Sequence, residues 1–121
     1  MQKKKTLVIG ASTNPERYAY QAIVNLQKKN IPMEAIGLKK GEVNGVQIHN
    51  SQLDFEGIDT ITLYVGPKNQ HHYEDYIISL KPNRVIFNPG TYNEAFMQKL
   101  QDNDIETEAA CTLVLLATEQ Y

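Results

Sequence analysis

The chain has 121 residues and a mass of 13.7 kDa, which is the size of one domain and leaves no room for a second, substrate-binding domain. Hydrophobic residues make up 41% and charged residues 21% of the chain, so a compact core is expected and wholesale disorder is excluded. A net charge of -2 argues against a surface built to bind nucleic acid. We therefore expect one folded domain over residues 1–121, without a nucleic-acid partner.

The apolar runs and the cysteine count indicate the cellular compartment of the protein. The longest apolar run, Leu113 to Ala117, is far shorter than the roughly 20 residues that span a membrane. Met1 to Thr6 lacks the apolar stretch of a signal peptide, and Lys3-Lys4-Lys5 is typical of a solvated charge run. These features predict a cytoplasmic protein with no membrane partner. Cys111 is the only cysteine and the three histidines have no recognised ligand spacing, so we expect neither a disulfide nor a metal site.

Strand and helix patterns alternate along the chain. Short apolar runs bounded by glycine, proline or asparagine predict strands over residues 6–9, 33–38, 60–65, 84–87 and 105–109. Apolar residues at helical spacing predict helices from after Asn14-Pro15 to residue 30, and over residues 73–80, 93–103 and 112–119. The last strand alternates apolar and polar residues, which indicates a sheet edge.

The segment from Gly41 to Gly57 has no long helical period. Asn44-Gly45 between Val43 and Val46 predicts a tight turn with small strand stubs. Ser51 to Phe55 is predicted to form one helical turn.

Alternating strands and helices imply right-handed crossovers and a parallel sheet that is covered on both faces. The predicted fold class is therefore α/β, a Rossmann-like three-layer sandwich with a five-stranded, mainly parallel sheet. In such sheets ligands bind beyond the carboxyl ends of the strands, at the topological switch point. This edge collects the four loops that follow Ile9, Leu38, Val65 and Phe87.

The first loop has the composition of a phosphate cradle. Its leading glycine permits a sharp turn, its small residues let a ligand approach, and the amides at the following helix start suit a phosphate. Ser12 and Pro15 replace two glycines of the G-x-G-x-x-G dinucleotide pattern, so a plain strand-to-helix turn is the alternative. The candidate cofactor-binding residues here are Gly10, Ala11, Ser12, Thr13, Asn14, Arg17 and Tyr18.

The second loop discriminates between cofactors. A site for NAD places Asp or Glu after the second strand to bind the ribose hydroxyls, but this chain has Lys39 and Lys40 followed by Gly41. Two lysines favour a ligand with an additional phosphate, such as the ribose phosphate of coenzyme A or NADP. NAD is therefore disfavoured. A solvated lysine pair on a surface loop is the alternative.

The third and fourth loops offer rigid turns and backbone access. Gly66-Pro67 forms a turn close to the sheet against which an adenine could lie, with Asn69 nearby. Asn88, Pro89 and Gly90 add a second glycine and polar groups that suit the amides of a ligand. Either loop alone is equally well explained as a plain connection.

Together these segments resemble the CoA-binding domain family, which includes stand-alone proteins and the nucleotide-binding domain of the succinyl-CoA synthetase alpha subunit. The resemblance covers nearly the whole chain, through Glu108 to Leu116. It is carried by Val8-Ile9-Gly10-Ala11-Ser12, Leu38-Lys39-Lys40-Gly41 with Gly45-Val46, Tyr64-Val65-Gly66-Pro67 and Asn88-Pro89-Gly90.

The resemblance implies a role for each loop. By position, the first loop would hold phosphates, Lys40 would contact the cofactor, and the later loops would flank adenine and pantetheine. The residues implied for phosphates are Gly10, Ala11, Ser12 and Thr13, and those implied for adenine and pantetheine are Gly66, Pro67, Asn88, Pro89 and Gly90. The synthetase also uses a phosphorylated histidine from a further domain, so His71 and His72 receive no catalytic role.

The sequence therefore predicts a protein that binds CoA or acyl-CoA as a non-catalytic carrier, sensor or regulatory module. No nucleophile stands convincingly beside a base, and Cys111 at the start of the last helix is more simply a structural residue. An NADP-dependent oxidoreductase, or an acyl-CoA enzyme component that needs a partner chain, is the alternative. Assembly as a homo-oligomer or with a partner enzyme stays open.

Overall fold

A computed structural model describes residues 4–121; the start of the Lys3–Lys5 charge run lies outside this range. The strands are β1 (Thr6–Ile9), β2 (Met33–Ile36), β3 (Gly41–Val43), β4 (Val46–His49), β5 (Thr60–Leu63), β6 (Arg84–Phe87) and β7 (Glu106–Ala109). The helices are α1 (Tyr18–Lys28), α2 (Glu74–Leu80), α3 (Glu94–Gln101) and α4 (Thr112–Ala117), and a 3-10 helix spans Pro67–His72.

The sheet contains seven strands in the order β3-β4-β2-β1-β5-β6-β7, so the prediction of five strands is wrong. The Asn44-Gly45 turn, with φ of 47° and 86°, joins β3 and β4 as an antiparallel hairpin. The hairpin then extends the sheet, because β4 pairs in parallel with β2 through Ala35 opposite Ile48. All other pairings are parallel, and β7 forms the predicted edge.

The connection from β4 to β5 contains no helical turn, so the prediction for Ser51 to Phe55 is wrong. The Leu53 N–H donates to Ser51 O and the Phe55 N–H donates to Leu53 O. Both bonds span two residues, which is the spacing of small turns and not of a helix. The segment therefore connects β4 to β5 without a helix, and Phe55 packs against the core.

Helices cover both faces of the sheet, as predicted for a Rossmann-like sandwich. Because side chains alternate along a buried strand, Leu7 and Ile9 of β1 face one core while Val8 faces the other. The first core contains residues of α2 and α3, and the second contains residues of α1 together with Leu116 of α4. Parallel strands enclosed in this way direct all their carboxyl ends to one edge.

The opposite edge of the sheet contains a buried ionic cluster. Arg84 at the start of β6 is only 8% exposed and contacts Glu108 at 3.0 Å, Thr60 Oγ1 at 3.0 Å and Tyr121 O at 3.1 Å. Its guanidinium also lies 4.6 Å from the centre of the Tyr121 ring. The Arg84 guanidinium is therefore paired within the protein. It lies at the amino ends of the strands, away from the four loops.

Candidate functional site

The switch point lies between β1 and β5, the two central strands. From β1 the chain continues into α1 on one face, and from β5 it continues into the 3-10 helix and α2 on the other. The loops after β1, β2, β5 and β6 therefore surround one crevice at the carboxyl edge. The Tyr64 N–H donates to Ile9 O at 2.8 Å, which joins the first and third loops directly.

The first loop is anchored to the end of β2 by its leading amides. The N–H groups of Gly10 and Ala11 both donate to Ile36 O at 2.9 Å. A Cβ added at Gly37 would lie 2.2 Å from Ala11 O, so the backbones of the two loops are in direct contact. The amides of Gly10 and Ala11 thus already donate hydrogen bonds within the protein. Any contact of this loop with a phosphate would come from the residues after Ala11.

Those following residues form a sequence of tight turns. Ser12 Oγ accepts from the Asn14 N–H at 3.0 Å, and Asn14 Oδ1 accepts from the Glu16 N–H at 3.0 Å. The Arg17 N–H donates to Asn14 O at 3.0 Å. Side chains of Ser12 and Asn14 thereby shape the loop, while Thr13 remains exposed.

Helix α1 begins with free amides beside this loop. Arg17 is its N-cap residue, no side chain caps it, and its first turn contains no acidic residue. By contrast, α2 and α3 begin with acidic residues, and Asn88 Oδ1 accepts from the first amide of α4. Within residues 4–121, the N–H groups of Tyr18, Ala19 and Tyr20 have no hydrogen-bond acceptor. Such a helix start is suited to an anion.

The second loop places its lysines next to the first. A Cβ added at Gly41 would lie 2.5 Å from Thr13 Cγ2, so the residues after Lys40 contact the first loop. The side chains of Lys39 and Lys40 are exposed. The backbone bends at Leu38 and Lys39, so the strand geometry of β2 does not continue through the lysine pair.

Cations without a protein partner are concentrated at this edge. Over the described part of the chain, Arg17, Lys39, Lys40 and Lys68 take part in no ion pair or side-chain hydrogen bond. Lys68 was not predicted, although it follows the Gly66-Pro67 turn directly. By contrast, Lys5 and Arg84, which lie at the amino ends of β1 and β6, both have acidic partners.

The third and fourth loops are linked by Gln70, a residue that the sequence analysis missed. Its side chain is fully buried, and Nε2 donates to Val65 O at 2.8 Å and to Thr91 O at 2.7 Å. Gln70 Oε1 accepts from Asn93 Nδ2 at 3.1 Å. A glutamine four residues after a Gly-Pro turn gives no sequence signal of burial, because glutamine is mostly exposed in proteins.

The Asn88 side chain is buried and forms its hydrogen bonds within the fold. It is 1% exposed, and its Nδ2 donates to Thr62 Oγ1 at 2.8 Å and to Leu63 O at 3.0 Å. Its Oδ1 accepts from the Thr112 N–H at 2.8 Å. The side chain thus joins β5, β6 and α4, and the part of the fourth loop that faces solvent is Pro89-Gly90.

Two loop glycines border open space. A Cβ added at Gly66 or at Gly90 would meet no atom within 4 Å. Pro67 and Asn69 are exposed beside Gly66, and the Asn69 N–H donates to Gly66 O at 3.0 Å. The backbone at these two glycines is therefore open to solvent.

Large apolar side chains are exposed around the same crevice. Leu38 is 90%, Tyr18 is 69% and Tyr92 is 54% exposed. Each lies on a loop or helix start at the carboxyl edge. Apolar surface next to unpaired cations suits a ligand that carries both phosphates and apolar groups.

Tyr64, the residue that follows β5, supplies a pH-dependent prediction. Burial raises the pKa of Tyr64 from the ordinary 10.0 to about 12. Between these pH values the folded state binds more protons than the unfolded state, so the free energy of unfolding is expected to fall as pH rises. Urea unfolding at about pH 9 and about pH 11 should show a smaller decline in Tyr64→Phe than in the wild type. Equal declines would contradict the assignment.

The histidines and the cysteine lie outside the crevice loops and belong to other elements. No group of three His, Cys, Asp or Glu residues in the described range is placed to hold a metal ion. His71 and His72 are exposed at the end of the 3-10 helix, and Cys111 is half-buried as the N-cap residue of α4. No described helix has the length and apolar character needed to cross a membrane.

Comparison with known proteins supports the same family. The model of the CoA binding domain family matches residues 4–117, and no curated protein matches the chain. An uncharacterised protein of known crystal structure is 46% identical, with both chains covered over 100% and a TM-score of 0.96. A hypothetical protein from Pyrococcus horikoshii OT3 is 26% identical over 98% of this chain and 84% of its own, with a TM-score of 0.86.

A more distant likeness shows the fold alone. Aspartate semialdehyde dehydrogenase II from Vibrio cholerae is 15% identical, and the match covers 96% of this chain and 46% of that enzyme, with a TM-score of 0.55. The family match spans nearly every described residue, including all four loops of the crevice. The chain therefore belongs to the CoA-binding domain family.

Proposed function

We propose that this protein binds CoA or acyl-CoA in the crevice at the carboxyl edge of the sheet. The observation that carries the proposal is the concentration of Arg17, Lys39, Lys40 and Lys68, all without protein partners, around the open start of α1. CoA presents a pyrophosphate and a ribose phosphate at separate points. The helix start suits the pyrophosphate, and the lysine pair suits the ribose phosphate.

NAD fits this crevice less well than CoA. No carboxylate follows β2, where an NAD site binds the ribose hydroxyls, and Lys39 and Lys40 stand there instead. The lysine pair also suits the ribose phosphate of NADP, so an NADP-dependent activity is the second candidate. An acyl-CoA enzyme component that needs a partner chain is compatible with the same cations.

We infer a non-catalytic role as a carrier, sensor or regulatory module. The groups that the crevice presents among the described residues are amides, cations and apolar side chains, which suit binding of a ligand more than nucleophilic or acid–base catalysis. Asn88, the buried polar residue nearest the fourth loop, uses its side chain within the fold.

Isothermal titration with CoA, NAD and NADP tests the proposal directly. CoA is expected to bind most tightly, because it alone combines the ribose phosphate with a long pantetheine arm. Mass spectrometry of ligand that copurifies with the native protein identifies the acyl group. Tighter binding of NAD, or no binding of CoA, would overturn the proposed function, and preference for NADP would favour the second candidate.

A further inference from the structure

The turn between β3 and β4 contains the only Asn-Gly pair of the chain, Asn44-Gly45. Both residues are exposed, and both have the positive φ of a type I′ hairpin turn. In such a pair the main-chain nitrogen of the glycine can attack the side-chain amide carbon of the asparagine, because glycine has no side chain to obstruct the approach. A Cβ added at Gly45 would meet no atom within 4 Å, so no neighbouring residue crowds the turn either.

The groups that would react at this turn are free of other bonds. The Gly45 N–H has no backbone acceptor within residues 4–121. The Asn44 side-chain amide has no hydrogen-bond partner over the same range, and only the main-chain oxygen of this residue is bonded. Attack at Asn44 therefore requires no hydrogen bond of these two groups to be broken first.

Most other asparagines lack this freedom. For five of them the next residue cannot attack, because it is proline or because its N–H donates within the fold; these are Asn14, Asn30, Asn83, Asn88 and Asn103. Asn50 is the closest comparison, since it is exposed and the N–H of Ser51 has no backbone acceptor in the described range. Ser51 has a Cβ beside the attacking nitrogen, so we expect Asn50 to react more slowly than Asn44.

The hairpin around Asn44 is short and lies at the edge of the sheet. Strand β3 contains three residues and pairs with β4 alone. The turn is joined to α1 by Gln27, whose Nε2 donates to Asn44 O at 2.7 Å from an exposed position. Edge elements with few contacts and exposed hydrogen bonds open at a low free energy. Brief opening of this turn gives the two reacting atoms the freedom to meet.

We propose that Asn44 is the site at which this protein deamidates spontaneously, to aspartate and isoaspartate. The Gly45 nitrogen forms a bond to Asn44 Cγ, the bond from Cγ to Nδ2 breaks, and ammonia leaves with the proton of the Gly45 N–H. Water then opens the resulting cyclic imide at one of its two carbonyls. Opening at Cγ gives aspartate. Opening at the main-chain carbonyl gives isoaspartate, in which the main chain runs through the side-chain carbon.

The isoaspartate product changes the hairpin more than the aspartate product does. It adds one carbon to the main chain of the turn, and the length of the loop fixes the register of Val43 opposite Val46. Both products also add a carboxylate close in sequence to Glu42. We therefore expect faster amide hydrogen exchange over residues 41–49 in the isoaspartate form than in the unmodified protein.

The test incubates the full chain in mildly alkaline buffer and follows each asparagine by mass spectrometry of its peptides. Conversion is expected first at Asn44, with Asn50 as the internal comparison. Asn44→Gly accepts the positive φ of the turn and should abolish the product. Gln27→Ala should raise the rate at Asn44 about two- to tenfold, the effect of one lost hydrogen bond on the opening of the turn. Lys28→Ala, at the next exposed position of α1, should leave the rate unchanged.

Three results would overturn the inference. In the first, another asparagine converts before Asn44. In the second, Asn44 in the folded chain stays intact over a period in which a peptide of residues 40–49 converts. In the third, Gln27→Ala and the wild type convert at the same rate, which contradicts attack through the opened turn.

Discussion

Lys40→Ala is expected to weaken CoA binding by about one to two decades, the usual effect of removing a charge-assisted phosphate contact. Lys40 directly precedes Gly41, whose Cα packs against Thr13 of the first loop. Its ammonium group has no partner in the described structure. Its charge is therefore free to meet a phosphate held at the start of α1.

Lys39→Ala should have a small effect by comparison. The backbone bends at Leu38 and Lys39, so strand alternation does not decide which lysine faces the first loop. The expected difference depends on position in the chain, since Lys40 is nearer to the contact between Gly41 and Thr13.

A matched control is available on α1, the helix whose start is proposed to bind the phosphate. Lys28 ends α1, is exposed, and likewise has no partner among the described residues, but it lies at the opposite end of the sheet. Titrations of Lys40→Ala, Lys39→Ala and Lys28→Ala at two salt concentrations should show a large loss and a flatter salt dependence for Lys40→Ala alone. Equal small losses at all three positions would contradict a phosphate site at this loop.

Much of the fold could be predicted because its main signals are local. The apolar run of β1 and the helical spacing of Ala19, Ala22, Ile23 and Leu26 in α1 are buried as the sequence indicates. The Asn44-Gly45 turn was also evident. The pairing of β4 with β2 was not, because it joins residues that are distant in sequence and no local pattern specifies that partner. The count of five strands failed for this reason.

The position of the candidate site could be predicted from the sequence, but the contribution of each residue to it could not. Glycine-rich loops after parallel strands indicate a binding edge, and the structure brings the first and second loops into contact. Sequence alone does not show why each glycine is needed. Gly10 and Gly37 serve contacts between backbones, whereas Gly66 borders free space. The role of Gln70 depends on three hydrogen bonds across loops, which no spacing in the sequence reveals.

Gly10→Val should destabilise the protein strongly. Gly10 has φ of 94°, and a Cβ there would lie 2.8 Å from Tyr64 O. The backbone strain costs about 1–3 kcal/mol, and forcing a side chain into a packed contact costs about 1–3 kcal/mol more. Their sum of about 2–6 kcal/mol is a large part of the stability of a small domain, which is about 5–15 kcal/mol. Loss of CoA binding in this variant would therefore be explained by damage to the fold and would not locate the ligand.

Three alanine variants separate backbone strain at a positive φ from the steric clash of an added Cβ. Gly45→Ala meets a positive φ of 86° with no atom near its Cβ, whereas Gly37→Ala meets Ala11 O at 2.2 Å without a positive φ. Gly10→Ala meets both conditions. In urea unfolding followed by circular dichroism, we expect Gly45→Ala to lose about 1–3 kcal/mol from strain alone. Gly37→Ala should lose more, because the Cβ would collide with a backbone carbonyl of the first loop, which moves aside less easily than a side chain, and Gly10→Ala should lose more than Gly45→Ala because its Cβ meets the carbonyl of Tyr64. A Gly37→Ala protein as stable as the wild type would show that the first two loops are not packed backbone to backbone, and the placement of Lys40 beside the phosphate site would lose its structural basis.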